Sequence, residues 1–242
     1  MTGRRGVART PLRGLVTDID GTLTDHSRRL NLEAVALLRD LDARGVTVVL
    51  ATGNVLPIAL AIHRSIGLSG PIVAENGGLV YRRVDGKDRL DRLARRSVAL
   101  AAFRSLRAAG LPVRRLFTDR WRQTEVAIEQ PAPLRAIRAV LRGTEVEAEA
   151  TGYAIHLMER GAGKLAGLAH ALRPLGLSLG DCLVAGDGDN DVAMLNAAGF
   201  GVSFPNGSPR ARAAADYVSG RPYADGFVEG VKRSGLVERS GR

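Results

Sequence analysis

Cysteine occurs once in these 242 residues, at Cys182, so no internal disulfide can form. The expectation is a cytoplasmic chain held together by its core rather than by covalent staples. Lysine is nearly absent, at Lys87, Lys164 and Lys232 only, and arginine supplies the rest of the 35 basic residues. Aromatic residues make up 4% of the chain, which bears on its net charge of +10. A protein this basic could hold a nucleic acid, but bases need aromatic platforms among the cations. The arginines (Arg92, Arg95, Arg96, Arg104, Arg107, Arg135, Arg138, Arg142) instead spread over helix faces without them. They read as a solvated surface, and no nucleic-acid partner is expected. Also missing is any apolar run of about 18 residues, so no membrane span is expected. Residues 1–13 are basic, but no apolar stretch or cleavage site follows, and they do not read as a signal peptide.

What is present suits one large domain or two modest ones. The run 12–19 is apolar and ends in two aspartates and a glycine, the pattern of a buried strand entering a loop. Residues 31–44 place Leu32, Val35, Leu38 and Leu41 on one helical stripe, with Asn31 as N-cap and Gly45 as the stop. A β-branched strand follows at 46–51, then a helix at 56–66 and a strand at 71–74. This alternation is the grammar of a parallel, doubly wound sheet. Beyond Gly78 the rhythm changes. A strand is expected at 79–82, a helix at 91–109, strands at 113–117 and 124–129, a helix near 133–142, and strands at 145–150 and 153–158. From Gly163 the parallel grammar returns, with helix 164–175, strand 182–185, helix 191–198 and strand 200–203. The fold class is therefore α/β: a doubly wound, Rossmann-like core (12–80 and 159–233) with a smaller α/β cap domain inserted (81–158). Residues 1–11 and 234–242 are expected to be flexible ends.

The sharpest chemical signal is Asp18-Ile19-Asp20-Gly21-Thr22. In an extended segment Asp18 and Asp20 turn to the same side, and ligands in open α/β sheets sit at the carboxyl ends of the strands. Two carboxylates this close call for a cation, most simply Mg²⁺ with its preference for oxygen donors. A second acidic cluster, Gly186-Asp187-Gly188-Asp189-Asn190-Asp191, follows the strand at 182–185. It suits either a shared metal site or a solvated loop in which Asp191 caps the next helix.

Taken together these stretches resemble the haloacid dehalogenase superfamily of phosphohydrolases, in the branch with a large cap after the third core strand. Asp18-x-Asp20-Gly21-Thr22 is similar to its first motif, Thr52 in Ala51-Thr52-Gly53-Asn54 to the second, Lys164 to the third, and the 186–191 cluster to the fourth. Within the branch, Thr52-Gly53-Asn54 and the stretch from Gly70 to Gly78 most resemble archaeal-type phosphoglycolate phosphatases, although many relatives carry arginine where this chain has Asn54. The resemblance implies that Asp18 attacks phosphorus to form an aspartyl-phosphate and that Asp20 serves as general acid and base. It implies Mg²⁺ held by Asp18, the Asp20 carbonyl, Asp187 and Asp191. It further implies phosphate and substrate binding by Thr52, Gly53, Asn54, Lys164 and Asn190. The substrate would be a small phosphorylated metabolite such as 2-phosphoglycolate, and the protein a monomer or homodimer. A broader sugar-phosphate phosphatase or phosphosugar mutase could use the same core. A phospho-acceptor signalling domain also clusters aspartates at strand ends, but needs no insert. The remaining alternative is a basic nucleic-acid-binding protein without catalysis.

Other conspicuous residues carry plainer expectations. His26, His63, His156 and His170 lack zinc-ligand spacing. Gly161-Ala162-Gly163-Lys164 lacks P-loop spacing. Cys182 sits in an apolar strand and reads as core. Arg120, Trp121 and Arg122 lie in the insert, where an arginine could read a substrate carboxylate through a bidentate contact.

Overall fold

The structure, a computed structural model, describes residues 11–239. Its strands in chain order are β1 (Gly14–Thr17), β2 (Thr47–Ala51), β3 (Ile72–Ala74), β4 (Leu79–Val84), β5 (Lys87–Arg92), β6 (Val126–Glu129), β7 (Val146–Ala150), β8 (Ala154–Glu159), β9 (Cys182–Ala185), β10 (Phe200–Ser203) and β11 (Tyr217–Val218). The helices are α1 (Leu32–Ala43), α2 (Leu56–Ile66), α3 (Arg96–Ala108), α4 (Leu134–Val140), α5 (Lys164–Leu172), α6 (Val192–Ala197), α7 (Pro209–Ala214), α8 (Tyr223–Arg233) and α9 (Leu236–Arg239). None of the described helices is long and apolar enough to cross a membrane.

The larger sheet has eight strands in the order β11-β10-β9-β1-β2-β3-β4-β5. β1 pairs in parallel with β2 on one side and β9 on the other. The chain steps outward from β1 through β2 and β3, then returns much later to β9 and steps outward through β10 and β11. Strand order thus reverses beside β1, and the crevice beyond the carboxyl ends there is where such sheets bind ligands. Side-chain alternation along β1 feeds both layers. Leu15 packs with Leu38 and Leu41 of α1 and Phe227 and Val231 of α8. Val16 packs with Leu168 and Leu172 of α5, Met194 and Leu195 of α6, and Ala211 of α7. Each fully buried Leu or Phe contributes about 2 kcal/mol by removal from water.

The smaller sheet is antiparallel in the order β6-β8-β7. It has its own core, where Ala99, Ala102 and Leu106 of α3 and Ile137 of α4 pack on Val126, Ile128, Val146, Ile155 and Leu157.

Several boundaries differ from the sequence expectation. The expected division at 80/81 falls inside β4, and β4 with β5 extends the larger sheet as an antiparallel hairpin. β5 is Lys-Asp-Arg-Leu-Asp-Arg, a charged and largely exposed edge strand with no apolar alternation to betray it. Its last two residues, Asp91 and Arg92, were therefore expected in a helix that begins only at Arg96. The strand expected at 113–117 reduces to a single bridge between Arg115 and Ile128, followed by a 3₁₀ turn at Phe117–Trp121. In α1 the buried stripe is Ala34, Leu38 and Leu41, while Leu32 in the first turn is 82% exposed. Asn31 does cap that helix, its side chain accepting from the Ala34 amide at 3.1 Å. The segment expected to be loose from 234 onward contains α9, and Leu236 is buried beside Phe227 and Val231. The expected flexibility of 1–10 and 240–242 lies outside the described residues.

Candidate active site

Three strand ends and one helix start meet at the crevice. The Asp18 amide donates to the Ala185 carbonyl at 3.0 Å, one step past the end of β1, so its side chain emerges beside the loop that leaves β9. That loop carries Asp187, Asn190 and Asp191. β2 ends at Ala51, and the Thr52 amide is held by the Val73 carbonyl at 2.8 Å. Lys164 opens α5, which lies so close to the loop after β3 that a Cβ on Gly167 would stand 2.7 Å from the Gly77 backbone. Glycine at 167 thus lets the helix carry Lys164 into the site. Gly21 has a φ of +81°, and a Cβ there would stand 2.3 Å from Asp187 Oδ2. Any other residue would both strain the turn and displace that carboxylate.

The Lys164 ammonium donates to Asp18 Oδ1 at 2.7 Å and to Asp191 Oδ1 at 2.6 Å. Asp191 Oδ2 accepts from the amides of Asp187 at 3.0 Å and Gly188 at 2.8 Å, which fixes the acidic loop. Carboxylate oxygens of Asp18, Asp187 and Asp191 all lie within 4.8 Å of one another. Three carboxylates against one ammonium leave excess negative charge in a water-poor place. Burial drives the Asp18 carboxyl well above the usual carboxylate range; Lys164 opposes this, and Asp191 and Asp187 add to it. Burial, with Asp191, pushes the Asp187 carboxyl up to about 7. Burial works against the charge of Lys164, but Asp18 and Asp191 outweigh it and the group stays ammonium. Hard oxygen donors, close spacing and unbalanced negative charge fit a divalent cation.

The other expected residues surround this centre. Asn54 Nδ2 donates to Asp20 Oδ2 at 2.5 Å, which orients that carboxylate. Thr52 is buried, and its Oγ1 accepts from the Asn54 amide at 3.0 Å, leaving the hydroxyl proton available to a ligand. Asn190 Nδ2 donates to Asn76 Oδ1 at 3.0 Å, so in this arrangement its amide is turned to the protein. The Gly53 carbonyl accepts from Arg122 Nη1 at 2.9 Å. Asp18, Asp20, Thr52, Gly53, Asp187 and Asn190 share a cleft of about 840 Å³, walled on the far side by residues 150–153 of the smaller unit.

A family model for haloacid dehalogenase-like hydrolases matches residues 15–117 and 137–231. The chain belongs to that family. A phosphoglycolate phosphatase of Methanothermobacter thermautotrophicus is 38% identical over 222 residues, 92% of this chain and 98% of the relative. Another, from Methanoculleus marisnigri, is 39% identical, over 92% of this chain and 96% of its own length. A crystal structure of a Thermoplasma acidophilum protein superimposes with a TM-score of 0.85 at 25% identity, covering 94% of this chain and all of that one.

In this hydrolase a second buried polar group joins the smaller sheet's unit to the larger, most of which periodicity could not reveal. Glu75 accepts from the Gln123 amide at 2.9 Å, the Thr124 amide at 2.8 Å and the Thr124 hydroxyl at 2.7 Å. Asn76 Nδ2 donates to Glu125 Oε2 at 3.1 Å, and Glu125 also meets Arg122 and, at 2.9 Å, His156 Nδ1. Burial pushes the Glu125 carboxyl up, but His156 and Arg122 overcome it and hold the group near 2. Alternation gave no signal for it: Val126, Ile128, Ile155 and Leu157 face the smaller unit's own core, which puts Glu125 and His156 on the opposite face. His156 is structural, as its lack of ligand spacing suggested. Cys182 is core, its thiol pushed up to about 12 by burial.

Glu149 of β7 gives a pH prediction. Burial, against the pull of Lys164 and with help from Glu147 and Asp191, raises its carboxyl to about 6. Its folded value lies above the unfolded one, so its contribution is present below about pH 4.5 and is lost as pH rises through 6. Glu149→Gln should therefore raise Tm at pH 8, by up to about 2 kcal/mol of stability before solvent screening, and change it little at pH 4.5. Thermal unfolding at the two pH values checks the sign.

Proposed function

We propose that this hydrolase is a divalent-metal-dependent phosphatase acting in the cytoplasm on a small phosphomonoester, with 2-phosphoglycolate the preferred substrate. The observation that carries the reading is the convergence of Asp18, Asp187 and Asp191 within 4.8 Å around one point, with Lys164 bridging two of them. The curated relatives that carry phosphoglycolate in their names support the choice of substrate. The cleft, at about 840 Å³, is larger than a two-carbon phosphoester needs, which keeps sugar phosphates as the second reading.

Asp18, Asp187, Asp191 and the Asp20 carbonyl would hold Mg²⁺. When bound, the ion offsets the charge of phosphate and carboxylates so that both can occupy one buried site. Asp18, kept in place by Lys164, attacks phosphorus in line, and the ester oxygen departs as the aspartyl-phosphate forms. Asp20, oriented by Asn54, lies on the cleft wall. It protonates the leaving oxygen and then takes a proton from the water that hydrolyses the intermediate. Thr52 donates its free hydroxyl proton to a phosphoryl oxygen. Lys164 balances negative charge on nucleophile and phosphate together.

Removal of divalent metal by a chelator should lower kcat by roughly 1000-fold, the loss of several kcal/mol of charge stabilisation, and Mg²⁺ should restore it. A screen of small phosphoesters under both conditions is the test. Turnover that survives chelation would remove the metal site. Preference for hexose phosphates would replace the substrate while leaving the reaction.

A further inference from the structure

Among the described residues, six buried side-chain atoms lack a partner in hydrogen-bonding geometry, and three of them fall together: Arg122 Nε, Arg122 Nη2 and the Tyr153 hydroxyl. Buried donors without acceptors are expensive, so a group of three requires a reason. Arg122 is completely shielded from solvent, yet only Nη1 is engaged, with the Gly53 carbonyl and the Glu125 carboxylate. Those bonds suffice to tie cap to core. The Nε–Nη2 edge of Arg122 makes no aligned bond but is turned to Tyr153, whose phenolic oxygen lies within hydrogen-bonding reach of the guanidinium.

Tyr153 stands in the cleft wall, within reach of the charges of both Arg122 and Asp20. Its ring is clamped, with the Arg28 guanidinium carbon 5.3 Å from its centroid and the His156 ring packed edge-on at 5.8 Å. Both residues adjoin the phosphate end of the site, because the carbonyl that Arg122 holds belongs to Gly53, next to Thr52.

We infer that Tyr153 is the receptor for a carboxylate on the substrate, its hydroxyl meeting that carboxylate at the cleft wall, with the Arg122 guanidinium behind the phenol supplying positive charge and orienting that hydroxyl. This rests on the reading of the substrate as a small phosphoester that bears a carboxylate. It makes Tyr153 a specificity residue, touching the part of the substrate that does not react, and Arg122 a positioning residue behind it.

The test compares kcat/KM for 2-phosphoglycolate and ethyl phosphate, the same ester without a carboxylate, in wild type, Tyr153→Phe and Arg122→Lys. Wild type should prefer 2-phosphoglycolate. Tyr153→Phe should reduce that preference about 10-fold, mainly through KM, as expected for a lost hydrogen bond to a charged group, and Arg122→Lys by no more than that. Arg122→Lys also loosens the tie to Gly53 and could disturb the cap. Tyr153→Phe removes a single oxygen and keeps the clamped ring, so it decides the matter alone. A preference that survives in Tyr153→Phe, or equal losses on both esters, overturns this receptor and leaves the substrate standing. No preference in wild type overturns both.

Discussion

Asp18→Asn should lower kcat by at least about 1000-fold while the protein remains folded, because the amide has the carboxylate's shape but is a very poor nucleophile. The electrostatics make the second half of that expectation specific. Asp18 is one of three buried carboxylates, and burial already drives its carboxyl well above the usual range. Neutralising it relieves repulsion with Asp187 and Asp191, while Lys164 keeps Asp191 as a partner at 2.6 Å. Metal-free Asp18→Asn should therefore melt no lower than metal-free wild type. With one carboxylate fewer, added Mg²⁺ should raise its Tm less than it does for wild type. Turnover and melting, measured with and without the ion, separate a lost nucleophile from a damaged fold. A rate within tenfold of wild type would remove Asp18 from the attacking role.

The core of this protein was legible because its signals are local. Leu15 and Val16, or Leu183 and Val184, announce buried strands by being apolar on both faces, and the aspartates that follow them stand out where a strand must end. Positions along the chain then fix positions in space, since parallel strands in register bring Asp18 and Asp187 to one edge. The junction between the smaller unit and the larger was less legible. β5 is held at an edge by backbone bonds that its charged sequence does not display. Arg122, Glu125 and His156 are buried polar groups whose partners come from Gly53, Asn76 and one another, and pairing across such distances leaves no periodic trace. Leu236 shows the same limit from the apolar side, as a single leucine in a polar tail finds the gap beside Phe227 only in three dimensions.

Lys164→Ala should be the most damaging substitution for activity and stability together. Among the described residues, its ammonium is the one cation in contact with both Asp18 and Asp191, and it is as buried as they are. Breaking a buried ion pair by deleting one partner costs about 3–5 kcal/mol, because the other charge remains desolvated. Here two carboxylates lose their partner at once, so metal-free Lys164→Ala should melt far below wild type. Mg²⁺ should recover much of that loss, since a cation among Asp18, Asp187 and Asp191 meets the same excess of negative charge. It should not recover turnover: with no ammonium beside the phosphoryl group, kcat stays lower by about 100- to 1000-fold. Lys164→Arg should fail likewise, for a planar fork cannot take the place of a point charge between two carboxylate oxygens 2.6–2.7 Å from one nitrogen. The informative measurement is therefore paired, Tm and kcat of the same sample across a Mg²⁺ titration. Recovery of both by the ion alone would mean that Lys164 only holds the carboxylates apart and takes no share in the transfer.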